Sequence, residues 1–192
     1  MKNSFLSKKP FIAFAFITAS VGMPNIAHAE EKTVQGFASL VSPIIIGTVI
    51  PFNFGDVVPS ANAGTVVLST SGSRTASGGA SLGNGTLARA GYIPMIGSPS
   101  GTFTLTLSGA VTLAEVGDST KTLTVDNFTV KIGASGTEQA YSSPVNAALN
   151  ASDGRSEVNI GGTLNIPANI PVGDYATNHT GGTPLTVTIA YN

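Results

Sequence analysis

The sequence predicts an all-β fold, either a sandwich or a barrel. Apolar and polar residues alternate with a period of two in several stretches, most clearly at 102–108 and 184–192. Turn sequences rich in glycine, asparagine and serine separate the short strands. Charged residues make up only 10% of the chain and hydrophobic residues 42%, so the composition is not that of a disordered chain.

The first residues have the pattern of an export signal. Lysines precede an apolar run at 10–22, and Ala27-His28-Ala29 has the small-x-small pattern of a cleavage site. We therefore expect a signal peptide at 1–29, with an N-terminal membrane anchor as the alternative. The rest of the chain then divides into an N-terminal extension at 30–43 and one domain at 44–192.

The elements follow from the alternation in chain order. Strands are predicted at 44–49, 52–57, 65–69, 90–96, 102–108, 121–132, 156–168, 175–177 and 184–192. Asp126-Asn127 is either a turn between two strands or a site within one, and Gly161-Gly162 predicts a bulge or bend. The stretch 143–152 predicts one short turn of helix. Outward-facing threonines and the lack of tryptophan favour a sandwich over a membrane barrel, which needs aromatic girdles.

Composition argues against several functions. Past Ala29 the chain keeps six of its nine basic residues and all ten acidic ones, so no nucleic-acid partner is expected. It has no cysteine, and His179 is the one histidine of this part, which leaves no ordinary zinc site. No serine lies on a predicted strand-to-helix turn, which a nucleophile elbow requires. We expect no enzyme, no cofactor, no metal and no small-molecule substrate, and a solvated loop position for His179.

The two ends of the chain are the informative features. The segment Thr33–Val41 alternates like a strand, and Pro43 then interrupts any ladder because it has no N–H to donate. At the other end, Pro184–Asn192 alternates cleanly, with Leu185, Val187, Ile189 and Tyr191 on one face. The arrangement predicts a detachable strand, a hinge and then a sandwich.

Several blocks resemble the DUF4402 family of secreted bacterial proteins. They are "FNFGDVVPS" from Phe52, "GTVVLSTSGSRTASGG" from Gly64, "GGTLNIPANIPVGDYAT" from Gly161 and the closing "LTVTIAYN". More distantly, the layout is similar to chaperone–usher pilins and spore-coat-U-like proteins, with which it shares a signal peptide, an N-terminal extension and the penultimate Tyr191. The chain lacks the disulfide that many pilins carry.

The pilin resemblance implies an immunoglobulin-like β-sandwich that lacks its last strand. It implies donor-strand exchange, in which a periplasmic chaperone first lends a strand and the extension of the next subunit then replaces it. Carried over by position, the donor side chains are Val34, Gly36, Ala38 and Leu40, with Gly36 at a glycine pocket. The groove that accepts them is flanked by the last strand, with Leu185, Val187, Ile189 and Tyr191.

We therefore expect a structural subunit of a surface fimbria or pilus that functions in cell adhesion. It would be exported through the periplasm and polymerise through its N-terminal strand, with a periplasmic chaperone and an outer-membrane usher as further partners. The alternative is a monomeric secreted β-sandwich that binds carbohydrate or a surface partner. In that case Thr33–Val41 folds back and completes the sandwich of its own molecule. Both functions require alternating apolar residues in this segment, so the alternation does not distinguish between them.

Overall fold

The computed structural model describes residues 30–84 and 87–192. The chain divides into two units, Met1–Ala38 and Ser39–Asn192, and of the first the structure describes Glu30–Ala38. The expected signal peptide at 1–29 lies outside the described residues. No strand or helix is assigned between Glu30 and Ile44.

All regular structure in the described residues is β-strand. The fourteen strands are β1 (Ile45–Ile46), β2 (Val57–Val58), β3 (Gly64–Leu68), β4 (Arg74–Gly78), β5 (Ser81–Leu82), β6 (Gly91–Ile96), β7 (Thr102–Leu107), β8 (Val111–Glu115), β9 (Asp118–Ile132), β10 (Gln139–Ala140), β11 (Val145–Ala148), β12 (Arg155–Ile166), β13 (Tyr175–Ala176) and β14 (Val187–Tyr191). The predicted all-β sandwich-like fold is confirmed.

The larger sheet is organised around the long strands β9 and β12. Its order is β1-β6-β12-β9-β8-β13, and β12 also pairs with β3, which forms a hairpin with β4. One side of β12 therefore carries β6 along its first half and β3 along its second half. β10 pairs with the second half of β9. All these pairings are antiparallel.

A second sheet has three strands in the order β11-β7-β14 and is also antiparallel, and β2 and β5 form a separate two-stranded antiparallel sheet. Phe103, Leu105 and Leu107 of β7 are buried, while the intervening threonines face outward. They pack with the apolar face of the larger sheet, which includes Val125 and Val158. Burial of this kind is the main contribution to folding of a chain without disulfides.

A bulge explains the expected irregularities in β9 and β12. The pairing shifts between Gly161 and Thr163, so that two residues of β9, Asn127 and Phe128, lie opposite one residue of β12. Asn127 has a φ of 45°, a conformation that asparagine tolerates better than most residues. Asp126-Asn127 is therefore a bulge within one strand rather than a turn between two.

The helical turn predicted at 143–152 is wrong. Val145–Ala148 forms strand β11, which pairs with β7 in register from Val145 opposite Leu105 to Ala148 opposite Thr102. Val145 and Ala147 pack against the core, whereas Asn146 and Ala148 are exposed. Edge pairing and burial of alternate side chains outweigh the weak local helix preference of the alanines.

Candidate functional site: an open groove beside the last strand

Strand β14 has one unpaired edge. Its other edge pairs with β7, where Thr186 C=O accepts from Ser108 N–H at 3.0 Å and Asn192 N–H donates to Thr102 C=O at 3.1 Å. Because an antiparallel ladder alternates, the N–H and C=O groups of the odd-numbered residues Val187, Ile189 and Tyr191 point the opposite way. Within residues 30–84 and 87–192, no strand pairs with them. This edge is a template for one more strand.

The side chains of β14, and Leu185 just before it, meet the core from one side only. Leu185, Val187, Ile189 and Tyr191 are all partly buried and pack against the core cluster, and they alternate with exposed residues. A central strand with neighbours on both sides would have these inward side chains fully buried, as in β7. Their partial burial is what an absent neighbouring strand would leave.

A groove with a volume of about 840 Å³ opens at the N-terminal end of β14, beside Val187 and the preceding Pro184 and Leu185. Its floor consists of apolar side chains from the larger sheet, including Ile93, Leu123, Ile160 and Leu164. Pro184, Leu185 and Val187 line one side of the groove, and Val49–Val57 line another side, which we call the facing wall. The facing wall includes Phe52 and Phe54, whose rings meet edge to face with centroids 6.0 Å apart.

The rim of the groove exposes apolar surface. Val49 is 51% exposed, Leu87 63% and Val172 82%, and all three line the groove. Contiguous exposed apolar surface of this kind marks interaction sites in proteins that are otherwise folded. The groove therefore has the chemistry to bind an extended apolar peptide, with backbone pairing along β14 and side chains directed to the floor.

Two arginines hold the facing wall in position. Arg74 Nη1 donates to Phe54 C=O at 2.6 Å and to Asp56 C=O at 2.9 Å. Arg89 Nε donates to Pro51 C=O at 3.2 Å, and its backbone forms a pair of hydrogen bonds with Asn53. Charge-assisted hydrogen bonds of this kind fix a loop that has few ladder partners of its own.

Tyr191 lies at the far end of β14 from the deep part of the groove. Its hydroxyl accepts from Ser98 N–H at 2.7 Å and donates to Ser42 C=O at 2.8 Å. Ser42 N–H in turn donates to Ser98 Oγ at 2.8 Å. A Cβ added at Gly101 would lie 2.8 Å from the tyrosine ring, so a glycine there leaves room for it. We call Ser42, Ser98 and Tyr191 the anchor.

Tyr175 and His179 both lie near the groove and bond to backbone carbonyls. Burial raises the pKa of Tyr175, and the carboxylates of Glu115 and Asp118 raise it further, so it stays a neutral phenol that donates to Pro171 C=O at 2.9 Å. His179 is half-buried rather than solvated, and its Nδ1 lies 2.9 Å from Ala114 C=O, which requires the proton on Nδ1. In the described residues, no three His, Cys, Asp or Glu side chains are grouped to hold a metal ion.

The expected donor residues are exposed. Val34 is 94% and Leu40 96% exposed, and a Cβ added to Gly36 would meet nothing within 4 Å. Ala38 is exposed as well. Of the expected groove residues, Leu185 and Val187 line the groove, whereas Ile189 and Tyr191 lie further along the unpaired edge of β14 and do not line it.

Sequence reasoning predicted strands at 44–49 and 52–57, but of these only Ile45–Ile46 and Val57 are strand, and neither the groove-lining role of the segment nor the arginines that hold it were predicted. The run of apolar residues from Ile44 to Phe54 contains more exposed side chains than a buried strand would, with Ile45 at 60% and Val49 at 51%. Its length and its Pro51 were signals of an edge segment beside an open site. The roles of Arg74 and Arg89 had no signal, because their acceptors are backbone carbonyls distant in sequence.

The fold and the groove define a class: an all-β sandwich in which the unpaired edge of the last strand begins beside an apolar groove. Family comparison then assigns the chain. The model of the family described as "Domain of unknown function (DUF4402)" matches residues 46–191, and the chain belongs to that family. The match includes the facing wall, the groove floor and all of β14. No curated protein matches the chain. In the described residues, no helix is long and apolar enough to cross a membrane.

Proposed function

We propose that this protein is a structural subunit of a surface fimbria or pilus assembled by donor-strand exchange. The observation that carries the proposal is the unpaired edge of β14 above an open apolar groove, in a chain that also has an exposed alternating extension. The donor would be the Val34–Leu40 segment of a second copy. Because donor and groove belong to different molecules, the contact is heterologous and extends into a fibre.

The dimensions of donor and acceptor support the proposal. Val34–Leu40 and Leu185–Tyr191 have seven residues each, and each spans about 20 Å when extended. The donor segment Thr33–Val41 contains no charged residue, so its insertion desolvates no ion. Each fully buried aliphatic donor side chain would contribute about 1 to 3 kcal/mol, in addition to the backbone pairing.

The proposed cellular partners are needed because the subunit has an open groove before it joins the fibre. A subunit with an open apolar groove is prone to nonspecific association, so a periplasmic chaperone would cover the groove until an outer-membrane usher exchanges it for the next subunit. The proposed route is export through the periplasm to the cell surface, where the fibre functions in adhesion. Genes for such a chaperone and usher beside this one would support the proposal.

The test is to delete Glu30–Val41. The deletion stops before Ser42, because Ser42 belongs to the anchor. We expect the truncated chain to fold when produced with its chaperone, to remain unpolymerised, and to bind a synthetic peptide of residues Thr33–Ser42. The full chain is expected to form ladders on a denaturing gel that disappear on boiling. The control peptide has the same composition in scrambled order.

The alternative function predicts different results. A monomeric binding module whose extension completes its own sandwich would lose its fold on this deletion, since the core would then lack a strand. The full chain would run as a single species, and the truncated chain would gain nothing from the peptide. Those results together would contradict the fibre proposal.

A further inference from the structure

The outer face of the larger sheet, which points away from the core, is polar over much of its width. Residues directly opposite each other on neighbouring strands project from the same face. One row of such residues crosses β8, β9, β12, β3 and β4 and consists of Thr112, Thr124, Asn165, Thr65 and Ser77. All five carry a hydroxyl or an amide, as expected for a sheet face in water.

The same face is apolar at the edge formed by β1 and β6. Ile45 lies opposite Ile96, and the two side chains are 60% and 36% exposed. β6 alternates buried with more accessible positions, and Ile96 is one of the accessible ones, so both isoleucines project outward. Large aliphatic side chains in this position lose nothing by being covered by a second protein surface.

Three more residues extend this apolar area along the strands. Tyr92 and Pro94 are the preceding outward positions of β6, and both are partly buried. Gly47 N–H donates to Pro94 C=O at 2.8 Å, and a Cβ added to Gly47 would lie 3.2 Å from the Pro94 ring. Gly47 therefore leaves a shallow depression beside the proline. We call Ile45, Gly47, Tyr92, Pro94 and Ile96 the outer patch.

Two residues of opposite charge flank the outer patch on β12. Arg155 lies opposite Ile96, and Glu157 lies opposite Pro94, so both project from the outer face. Arg155 Nε is 3.9 Å from the Asp153 carboxylate, a distance and exposure at which an ion pair contributes little. Within the described residues Glu157 forms no ion pair. Both charges are therefore available to a partner.

The charges and the shape of the outer patch are complementary to themselves. If two copies pack face to face about a two-fold axis that crosses β12 between Arg155 and Glu157, each arginine lies opposite the glutamate of the other copy. The same axis places Ile45 of each copy over the depression at Gly47 of the other, and Ile96 over Pro94. One arrangement thus satisfies both the charges and the apolar surface.

We propose that the outer patch is a two-fold interface between two copies of this chain. The patch covers three strands and about 300 Å² per copy, well below the roughly 800 Å² per partner of a stable complex. We therefore expect a weak pair, with a dissociation constant of order 0.1 to 1 mM. The patch and the groove lie on opposite faces of the larger sheet, so this contact does not compete with a donor strand.

In a fibre, weak pairs of this kind would add up. Each subunit would present one outer patch, and two fibres lying side by side would share many pairs at once, which raises the overall affinity far above that of one pair. This consequence rests on the proposed function, whereas the pairing of two copies does not.

The test is chemical cross-linking of the full chain. The chain has no cysteine, so a variant with Ile96→Cys has one thiol. Sheets packed face to face lie about 10 Å apart, farther than a disulfide reaches, so a bismaleimide with a short spacer is used. We expect a covalent dimer on a boiled denaturing gel. The matched control is Val67→Cys, which lies on the same face and is 44% exposed but is outside the patch.

Charge reversal shows whether the pair has the inferred geometry. In the Ile96→Cys chain, Arg155→Glu alone and Glu157→Arg alone should each lower the dimer yield at least about fivefold, since like charges then face each other. An equal mixture of these two variants restores opposite charges across the axis, and its yield should recover to about half of the original or more. Circular dichroism should show all variants folded.

Three results would overturn the inference. They are equal dimer yields from Ile96→Cys and Val67→Cys, a yield that charge reversal does not change, and a mixture that remains as low as its two components. The donor-strand role is judged separately on the same gel, because its ladders disappear on boiling and the cross-linked dimer does not. Ladders without the dimer would contradict only the outer-patch interface, and the dimer without ladders would contradict only the donor-strand role.

Discussion

Tyr191 shows how one hydroxyl group joins three distant segments. It bonds to Ser98 N–H and Ser42 C=O, so removing it leaves a donor and an acceptor without their partner. We expect Tyr191→Phe to lower the free energy of unfolding by about 0.5 to 1.5 kcal/mol, since the Ser98 N–H is partly buried whereas the exposed Ser42 C=O can bond to water instead. Urea denaturation measures this.

The control for this change is Tyr92→Phe. Tyr92 is also partly buried, but its hydroxyl makes no hydrogen bond in the described residues, so its loss should change the free energy of unfolding by less than about 0.5 kcal/mol. If both variants lose the same stability, the anchor does not contribute in the way the geometry indicates.

A substitution at Gly36 distinguishes an effect on assembly from an effect on folding. A side chain at this position would meet nothing within 4 Å, so Gly36→Leu should leave the free energy of unfolding of the subunit unchanged. In a glycine-sized pocket of a second copy it would be overpacked, which costs about 1 to 3 kcal/mol. We expect the Thr33–Ser42 peptide with this change to bind the truncated chain at least about fivefold more weakly, as measured by calorimetry.

The matched peptide for comparison is Gln35→Leu, which adds similar apolar bulk on the opposite face of the donor. It should bind like the unchanged peptide. If the Gly36→Leu peptide binds as well as the Gln35→Leu peptide, Gly36 does not occupy a glycine-sized pocket.

At the scale of the element, β14 combines one satisfied edge with one unsatisfied edge. The Ile189 N–H points to the unpaired edge, so proline at 189 removes a donor that the isolated subunit does not use. We expect Ile189→Pro to reduce binding of the Thr33–Ser42 peptide about tenfold or more relative to Ile189→Ala, which truncates the same side chain but keeps the N–H. Circular dichroism should show both variants folded; equal peptide affinity would argue against pairing at this edge.

Glu138 links two elements of the larger sheet. Its carboxylate accepts from Thr70 N–H at 3.1 Å and Thr70 Oγ1 at 2.7 Å, which connects the end of β3 to the segment before β10. Burial on its own would raise the pKa of Glu138, but these hydrogen bonds outweigh it and the pKa lies below its ordinary value of 4.5. The carboxylate form is therefore the one that stabilises the fold.

The lowered pKa of Glu138 determines how the stability of the fold changes with pH. A lowered pKa gives stability that is present above 4.5 and lost as the pH falls through the folded-state pKa. We expect the free energy of unfolding to decrease as the pH is lowered below 4.5, and Glu138→Gln to flatten part of this decrease. Asp118, whose pKa is lowered by the Thr120 hydrogen bonds, leaves a residual slope. Urea unfolding at a series of pH values gives the free energy of unfolding of the natural chain and of the Glu138→Gln variant. If this free energy changes equally with pH in both, Glu138 does not contribute to the pH dependence.

At the scale of the whole molecule, alternation predicted the strands that bury one face. β7 and β14 fall within their predicted ranges, and β12 begins one residue before its range, because their inward residues are mostly apolar at every second position. β4, with the sequence RTASG, was not predicted, since an exposed edge strand has no apolar pattern to detect. β11 was assigned to a helical turn because its pairing with β7 is not visible locally.

The groove was only partly predictable, because most of its contacts join segments that are distant in sequence. Leu185, Val187, Ile189 and Tyr191 could be placed on one face from their spacing alone. The width of the opening, the position of the facing wall and the bond from Tyr191 to Ser42 depend on how segments more than a hundred residues apart meet. No periodicity in the sequence encodes these.

The anchor also has a mechanical consequence for a fibre of the proposed kind. Tension applied through the extension would enter the subunit at Ser42, beside the Tyr191 hydroxyl at the end of β14, and would also follow the backbone to β1 and its pairing with β6. β14 would hold the next donor, so force would enter the subunit and leave it beside the same strand. A donor lying along β14 would be loaded in shear, with its hydrogen bonds sharing the force rather than breaking one after another.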